Sequence, residues 1–386
     1  MKIVADENIP FVQEAFGTLG HVEVLPGREI GAAQVREADL LLVRSVTAVN
    51  AKLLEGSRVR FVGSATIGLD HVDEAWLRTH GMVLAYAPGS NANSVAEYVV
   101  AALVALGRER YAGRTLGIIG LGRIGTLVRE KASGLGMAVL VNDPPLARAG
   151  AAGLVSLEDL LTRSDVVTCH VPLIREGPDT TYHLLDASRL ALLRPHGIVI
   201  NTSRGAVVDN AALLRGLQEQ QMGGAVLDVW EGEPQPDPAL IRAVTLGTPH
   251  IAGYSWNGKA AGTKMLYDAA CAFFNRRFKW APPAPPDGAG RRPVTVEEGR
   301  SLDDLLRELL PRFHDIRRDD AALRAIAELP GPEQSHAFDH LRASYPTRLE
   351  FRHASVVVPA GRSKVPAALR GIGFTVSVKA TPSRTR

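Results

Sequence analysis

The chain has 386 residues, 46% of them hydrophobic and 22% charged, which is enough for two or three domains with buried cores. Its net charge of +3 comes from 44 Lys and Arg against 41 Asp and Glu, without a dense basic run, which argues against a nucleic-acid-binding protein. Two cysteines are too few for a disulfide framework or a Cys-rich metal site, and no segment approaches the roughly 20 apolar residues of a membrane span. We therefore expect a cytoplasmic protein without a metal, a membrane anchor or a nucleic-acid partner.

Short apolar runs alternate with helical stretches over residues 1–93. The runs are Lys2–Ala5, Val22–Leu25, Leu40–Val43, Val59–Ser64 and Met82–Tyr86. Strands of this length at helix-sized intervals predict a small flavodoxin-like α/β domain. A long apolar helix follows, for which Ser94 is the expected N-cap and Glu97 its capping-box partner.

Six further apolar runs lie between residues 94 and 255. They are Thr115–Ile119, Ala138–Asn142, Val166–His170, Ile198–Asn201, Gly224–Val229 and Val244–Leu246. Their alternation with helical stretches predicts a Rossmann-type doubly wound parallel sheet. A helix from about Gly258 to Phe278 is expected to return to the first domain, which would then comprise residues 1–93 and 256–280.

The composition changes after residue 280. Residues 281–292 are rich in Pro and Gly and predict a linker. Beyond it, leucines at helical spacing from Leu302 to Leu310 and the apolar runs Val356–Val358 and Phe374–Val376 predict a third, α+β domain over residues 293–386.

A glycine fingerprint directly follows the strand Thr115–Ile119 and opens a helical stretch. Because the glycines have no side chains, the backbone can approach a pyrophosphate closely, and the amides at the start of the helix would then bind it. Asp143, 23 residues after Gly120, would hydrogen-bond the ribose and repel a 2′-phosphate, so NAD is the predicted cofactor. Glycine-rich turns also occur for packing alone, and the strand, the spacing and the acid together favour the nucleotide. The residues of the loop predicted to bind it are Gly120, Gly122, Arg123, Ile124 and Gly125.

Three charged residues that follow predicted strands form a candidate catalytic set. Oxidation of a 2-hydroxy acid needs a base for the hydroxyl proton and a cation for the carboxylate. His250 is the candidate base, Glu233 would orient it and raise its pKa, and Arg204 offers a planar fork to a carboxylate. Singly, each could be an ordinary turn residue, surface acid or loop residue, so the prediction depends on their occurring together.

The segments Asn201–Gly205, Asp228–Pro234 and Thr248–Gly253, with the glycine fingerprint, resemble the D-isomer-specific 2-hydroxyacid dehydrogenases over about residues 1–280. This resemblance implies that the first domain, residues 1–93 and 256–280, is a substrate (lid) domain. It also implies that His250 is the acid–base, that Glu233 is its partner and that Arg204 binds substrate. Asp228 matches a position near the nicotinamide, with a strand-end acid that caps a turn as the alternative. The further residues expected at the cofactor are Thr202, Ser203 and Gly253.

The N-terminal segments and residues 314–320 resemble one branch of that family more closely, from end to end. The branch implies a homodimer formed through the C-terminal domain, and oxidation of the small phosphorylated acid 4-phospho-D-erythronate in vitamin B6 biosynthesis. It also implies that Ser45, Thr66 and Tyr254 contact substrate. Arg44 is our candidate for the substrate phosphate on chemical grounds, with a solvated strand-end Arg as the alternative.

Two other functions stay open at this point. Another dehydrogenase of the same class, of phosphoglycerate or glyoxylate type, would share Arg204, Glu233 and His250 and differ in its substrate loops. A non-catalytic NAD-sensing regulator on the same fold could also retain them. Substrate preference and partner binding would separate these possibilities.

Overall fold

The computed structural model describes residues 1–107, 111–285, 293–296, 301–360 and 364–379. The chain divides into two units, Met1–Asn91 with Ser255–Pro286, and Ala92–Tyr254 with Asp287–Arg386. Among the residues that the structure describes, every helix is too short or too polar to cross a lipid bilayer.

The first unit is built on a five-stranded parallel sheet of order β2-β1-β3-β4-β5, which is the flavodoxin order. The strand Leu40–Val43 lies at its centre and is buried at every residue, as expected for a parallel sheet that is covered on both faces. The strands are β1 Lys2–Asp6, β2 His21–Leu25, β3 Leu40–Val43, β4 Phe61–Ser64 and β5 Val83–Tyr86. The helices are α1 Val12–Phe16, α2 Ala32–Val35, α3 Ala51–Leu54 and α4 Glu74–Thr79.

The second unit contains a six-stranded parallel sheet of order β11-β10-β9-β8-β6-β7. The chain reverses direction across the sheet between β6 and β8, and in open α/β sheets this is where ligands bind. The strands are β6 Thr115–Ile119, β7 Ala138–Asn142, β8 Val166–Cys169, β9 Ile198–Asn201, β10 Gly224–Leu227 and β11 Leu246–Gly247. The helices are α5 Ala92–Ala105, α6 Arg123–Gly134, α7 Pro144–Arg148, α8 Leu157–Arg163, α9 Ala187–Leu190, α10 Asn210–Gln218 and α11 Pro238–Ala243.

The helix that follows the second sheet, α12 Trp256–Phe273, belongs to the first unit. Its N-cap is Ser255, whose hydroxyl accepts a hydrogen bond from the amide of Gly258 at 2.9 Å. Leu266 and Tyr267 join the core around β1 and β3. The helix therefore packs in the core of the first unit, and both of its ends lie a few residues earlier than the sequence indicated.

The C-terminal part of the chain adds a three-stranded parallel sheet of order β12-β13-β14 to the second unit. Its strands are β12 Val294–Thr295, β13 Ser355–Pro359 and β14 Thr375–Lys379, and its helices are α13 Leu302–Leu309, α14 Ile316–Ile326, α15 Gly331–Ala343 and α16 Lys364–Ile372. Short 3₁₀ helices lie at Gly27–Glu29, Gly205–Val207, Leu310–Arg312 and Phe351–His353. Of the predicted linker, residues 281–285 are irregular and residues 286–292 lie outside the described residues.

The predicted capping role of Ser94 is wrong. Helix α5 begins two residues earlier, at Ala92, and the Ser94 hydroxyl instead donates to Glu350 Oε1 at 3.0 Å. Glu97 accepts from the amide of Phe351 at 2.9 Å. Because partners from the far end of the chain take both side chains, the local Ser-x-x-Glu pattern does not form a cap.

Charged groups are buried where α5 and α6 meet the C-terminal part. Glu97 is fully buried, and burial, aided by the nearby charge of Glu350, raises its pKa to about 7 against the opposing charges of Arg348 and Lys131. The Lys131 ammonium, also buried, donates to the carbonyl of Ile372 at 2.9 Å. These contacts join the NAD-binding and C-terminal parts of the second unit within one interior.

Candidate active site

The residues predicted for cofactor and chemistry follow strands of the six-stranded sheet. Parallel strands end at one edge of the sheet, so the loops after β6, β9, β10 and β11 emerge on the same side. These loops hold, in order, the glycine fingerprint, Thr202 to Arg204, Asp228 to Glu233, and Thr248 to Tyr254.

Two glycines of the fingerprint are required by the fold, and one faces open space. Gly120 has a φ of +92°, and a Cβ there would lie 2.6 Å from the carbonyl oxygen of His170. A Cβ on Gly125 would lie 2.0 Å from the carbonyl oxygen of Gly120. Gly122, the N-cap of α6, meets nothing within 4 Å and adds no side-chain cap. Close approach of the backbone, with helix amides beside it, fits a dinucleotide pyrophosphate.

Asp143 connects the glycine loop to the end of β7. One carboxylate oxygen accepts from the amide of Leu121 at 2.8 Å, and the other accepts from the amide of Leu146 at 3.0 Å and caps α7. Arg123 is exposed in the first turn of α6, and Ile124 beside it is half-buried. Asp143 therefore lies at the loop, and its contact with the ribose remains a prediction.

His250 and Glu233 form a hydrogen-bonded pair. His250 has a φ of +56°, and its amide donates to the carbonyl of Asp228 at 2.8 Å. Its Nδ1 lies 2.7 Å from Glu233 Oε2, while Glu233 Oε1 accepts from the amide of Trp230 at 2.7 Å. The carboxylate is thus fixed from two sides, and it orients the imidazole so that Nε2 can exchange a proton with a bound molecule.

The electrostatics of the pair favour its charged form. Burial lowers the pKa of His250, but the charge of Glu233 and its hydrogen bond raise it more, so the net pKa lies above its ordinary value. Burial raises the pKa of Glu233, and the charge and hydrogen bond of His250 outweigh this, so that pKa is lowered. The positive charge of Arg342 lowers the pKa of both groups.

Asp228 holds the segment that carries His250. Its carboxylate is buried and accepts from the Thr248 hydroxyl at 2.6 Å and from the amides of Ile251 at 2.7 Å and Ala252 at 2.9 Å. Because the Thr248 hydroxyl donates to Asp228, the Tyr98 hydroxyl, 2.7 Å from it, is the donor to Thr248. The structure therefore gives Asp228 the turn-capping role that the sequence left open, and contact with nicotinamide stays a prediction.

Arg204 lies in a loop whose shape depends on its neighbours. A Cβ on Gly205 would lie 2.0 Å from the carbonyl carbon of Trp230, so glycine lets this loop pack directly on the chain after β10. Asn201 donates to the carbonyl of Arg204 at 2.9 Å and accepts from the Ser203 hydroxyl at 2.8 Å. Sequence analysis missed this organising role of Asn201, although its place at the end of β9 was a signal.

The remaining predicted residues lie on both units. In the first unit, Arg44 Nη1 is 3.5 Å from the carbonyl oxygen of Asn8, and Ser45 is exposed. Thr66 donates to the carbonyl of Gly68 at 2.8 Å and shapes its own loop. In the second unit, Thr202 Oγ1 is 3.4 Å from His170 Nδ1, and Gly253 and Tyr254 lie three and four residues after His250.

A second histidine–glutamate pair lies outside the predicted set. His183 Nε2 is 2.8 Å from Glu231 Oε1, and the other oxygen of Glu231 accepts from the amide of Asn210 at 3.0 Å. Asp209, close to His183, caps α10 through the amide of Ala212 at 2.9 Å. His183, Glu231 and Asp209 thus hold the loops that precede α10. The His183–Glu231 pair resembles the His250–Glu233 pair in structure and can serve as its control.

Comparison with known proteins identifies the domains. Residues 100–252 match the family model described as D-isomer specific 2-hydroxyacid dehydrogenase, NAD binding domain, and residues 291–373 match a domain of unknown function, DUF3410. An erythronate-4-phosphate dehydrogenase from Salinibacter ruber is 49% identical over 379 residues, which are 93% of this chain and 95% of the relative. One from Chromohalobacter salexigens is 45% identical over 384 residues, 98% of this chain and 99% of the relative.

The chain belongs to the erythronate-4-phosphate dehydrogenase family. This membership confirms the predicted resemblance, the α/β fold class and NAD as cofactor. A solved D-lactate dehydrogenase from Aquifex aeolicus, complexed with NAD and lactic acid, is 26% identical with a TM-score of 0.61 and covers 71% of this chain and 95% of its own. An NAD-dependent formate dehydrogenase from Staphylococcus aureus, in complex with NAD, is 25% identical with a TM-score of 0.61 over 72% of this chain and 97% of its own.

Proposed function

We propose that the chain oxidises 4-phospho-D-erythronate at carbon 2 to 2-oxo-3-hydroxy-4-phosphobutanoate, a step in pyridoxal 5′-phosphate biosynthesis. The observation that supports the chemistry is the pair of His250 Nδ1 and Glu233 Oε2 at 2.7 Å, on strand-end loops at the same edge of the sheet as the glycine fingerprint. The substrate rests on the full-length relatives, which are named erythronate-4-phosphate dehydrogenases.

The residues divide the work of oxidation. His250 accepts the proton of the substrate hydroxyl at Nε2, and Glu233 stabilises the imidazolium that forms. Arg204 holds the substrate carboxylate with its planar fork. Gly120 to Gly125 would hold NAD, which when bound would supply the hydride acceptor for carbon 2. Loss of hydride and proton from one alcohol leaves the ketone, so the atoms and charges balance.

The first experiment measures NADH absorbance after the protein and NAD are mixed with 4-phospho-D-erythronate. Parallel reactions contain 3-phosphoglycerate, D-lactate or D-glycerate, each with and without a 2-oxo acid as acceptor. A strong preference for 4-phospho-D-erythronate supports the proposal. A preference for another acid overturns the substrate but keeps the chemistry, whereas silence on every acid by a protein that still binds NAD favours the sensing regulator.

We further propose a homodimer formed through residues 293–386 and a cytoplasmic location. The homodimer rests on the resemblance to this family. Sedimentation of the full chain over a range of concentrations tests the first. A single species with twice the mass of 41.3 kDa is expected, and a monomer throughout contradicts it.

We predict that Glu233→Gln moves the acid limb of the pH profile to lower pH. Oxidation requires neutral His250, so kcat/KM rises with pH through the His250 pKa, which Glu233 raises. Removing the negative charge lowers that pKa, and the loss of orientation lowers kcat by roughly 10- to 100-fold, a part of what a positioned base contributes. Initial rates across pH measure both effects.

Glu231→Gln is the matched control. Glu231 is two residues away and pairs with His183 rather than His250, so its replacement should leave the acid limb in place. If the Glu233 variant keeps the wild-type limb, Glu233 does not set the charge state of the base.

A further inference from the structure

The C-terminal domain of unknown function contacts the segment that follows the proposed base. Arg348, which is 6% exposed, donates from Nε to the carbonyl of Tyr254 at 2.9 Å and from Nη2 to the carbonyl of Ala252 at 3.0 Å. The ring of Tyr345 meets the ring of Tyr254 edge to face at 5.9 Å, and the Tyr345 hydroxyl donates to Asp319 at 2.7 Å. Arg348 therefore fixes the backbone of Tyr254, and Tyr345 fixes its ring.

Arg342 lies at the end of α15 and faces the same tyrosine. Its guanidinium carbon is 5.9 Å from the centre of the Tyr254 ring, within the range of a cation–π contact. The side chain is 16% exposed, so the charge is largely removed from water yet still reachable. A helix held in place by its neighbours thus presents a cation beside a residue expected to contact substrate.

The hydrogen bonds of Arg342 are incomplete. Its nearest carboxylate contact is Asp339 Oδ1, 3.8 Å from Nη1, which is too long for a hydrogen bond. Its buried Nε has no hydrogen-bond partner within the parts of the chain that the structure describes. A largely buried guanidinium with unmade bonds costs free energy, and an anion that reaches it would restore them.

The charge of Arg342 also acts on the proposed catalytic pair. It lowers the pKa of both His250 and Glu233, although burial and the pair's own interaction are the larger influences on each. The guanidinium thus acts electrostatically on the proton-transfer groups, and it contacts Tyr254, four residues after His250.

We propose that Arg342 binds the phosphate of the substrate, so that the C-terminal domain supplies a specificity-determining residue to the reaction. A phosphate presents several oxygens that suit the guanidinium fork, and Arg204 is assigned to the carboxylate at the other end of the same acid. The inference rests on the proposed function, since it requires a phosphorylated hydroxy acid as substrate.

The test compares Arg342→Gln with wild type on 4-phospho-D-erythronate and on unphosphorylated D-erythronate, above the acid limb of the pH profile. For the phosphorylated acid, kcat/KM should fall about 30- to 100-fold, the value of one or two charge-assisted hydrogen bonds, mostly through KM. For D-erythronate it should change by less than about threefold. Arg342→Lys keeps the charge and loses the planar fork. Its kcat/KM for the phosphorylated acid should therefore lie between those of wild type and Arg342→Gln.

A second readout separates this role from a structural one. Loss of a positive charge near His250 raises its pKa, so the acid limb of Arg342→Gln should move to higher pH, opposite to Glu233→Gln. Arg312→Gln is the matched control, because Arg312 is an exposed C-terminal arginine that pairs with Glu308. The acid limb of its pH profile and its kcat/KM should equal those of wild type. Thermal unfolding of each variant checks that it is folded. If Arg342→Gln does not fold, the same measurements are made on Arg342→Lys.

Each outcome decides the proposal. Equal losses on both acids, or an unchanged preference for the phosphorylated acid, overturn the role of Arg342 and leave the proposed function standing. A selective loss in Arg44→Gln instead of Arg342→Gln assigns the phosphate to Arg44 and also overturns it. A wild-type protein with no preference for the phosphorylated acid overturns the proposed function, and the role of Arg342 with it.

Discussion

His250→Ala should lower kcat by roughly 10²- to 10⁴-fold, the usual contribution of a positioned acid–base, while NAD binding is unchanged. The ring that Glu233 orients is lost, so no group at that position can take the hydroxyl proton. The residues assigned to the pyrophosphate and the ribose of NAD lie elsewhere, at Gly120 to Gly125 and Asp143. Steady-state NADH formation gives kcat, and calorimetric titration with NAD gives the dissociation constant.

His183→Ala controls for the loss of an imidazole as such. His183 also has a positive φ, of +48°, and also hydrogen-bonds a glutamate at 2.8 Å, but its partner is Glu231. Its replacement should reduce thermal stability and leave kcat within a few-fold of wild type. Near-normal turnover of His250→Ala would remove His250 from the mechanism, and an equal loss in both variants would make the effect structural.

Arg204→Lys should lower kcat/KM by roughly 10²- to 10³-fold, comparable to the loss of a key donor in other active sites. Lysine keeps the charge but replaces a planar fork with a point charge, so bidentate contact with a carboxylate is lost. The backbone of this loop is closely packed, because Gly205 lies against the backbone of Trp230 without room for a Cβ. Initial rates over a range of substrate concentrations measure the change.

Arg189→Lys provides the comparison for Arg204. Arg189 is half-buried in the same domain and donates from its guanidinium to the carbonyl of Leu184 at 3.0 Å, away from the proposed chemistry. This variant should retain wild-type kcat/KM. If Arg204→Lys retains it too, with normal thermal stability, then the planar fork has no part in substrate binding.

Much of the fold could be predicted because its central strands are buried on both faces. A continuous apolar run bounded by turns defines such a strand, and Leu40–Val43 and Thr115–Ile119 have the predicted limits. The edge strand Ala138–Asn142, which is partly exposed, also has them. The run Gly224–Val229 instead leaves the sheet after Leu227, because Asp228 turns to bind the amides of the His250 segment. That difference marks the place where the strand ends and the candidate site begins.

The contacts made by the C-terminal part could not be predicted from the sequence. Arg348 reaches the carbonyl of Tyr254 across 94 positions of the chain, and no local pattern of α15 or its neighbours encodes that pairing. The same holds for Ser94, whose position predicts a helix cap although its hydroxyl donates to the distant Glu350. Local rules fail here because distant partners decide where buried polar groups are satisfied.

The buried side chains of Glu97 and Lys131 tie the stability of the NAD-binding part to that of the C-terminal part. Glu97 accepts from the amide of Phe351, Lys131 donates to the carbonyl of Ile372, and the apolar residues of α5 share one core with those of α13 and α16. The C-terminal part therefore completes the interior of the unit that holds His250, independently of any part it takes in the reaction.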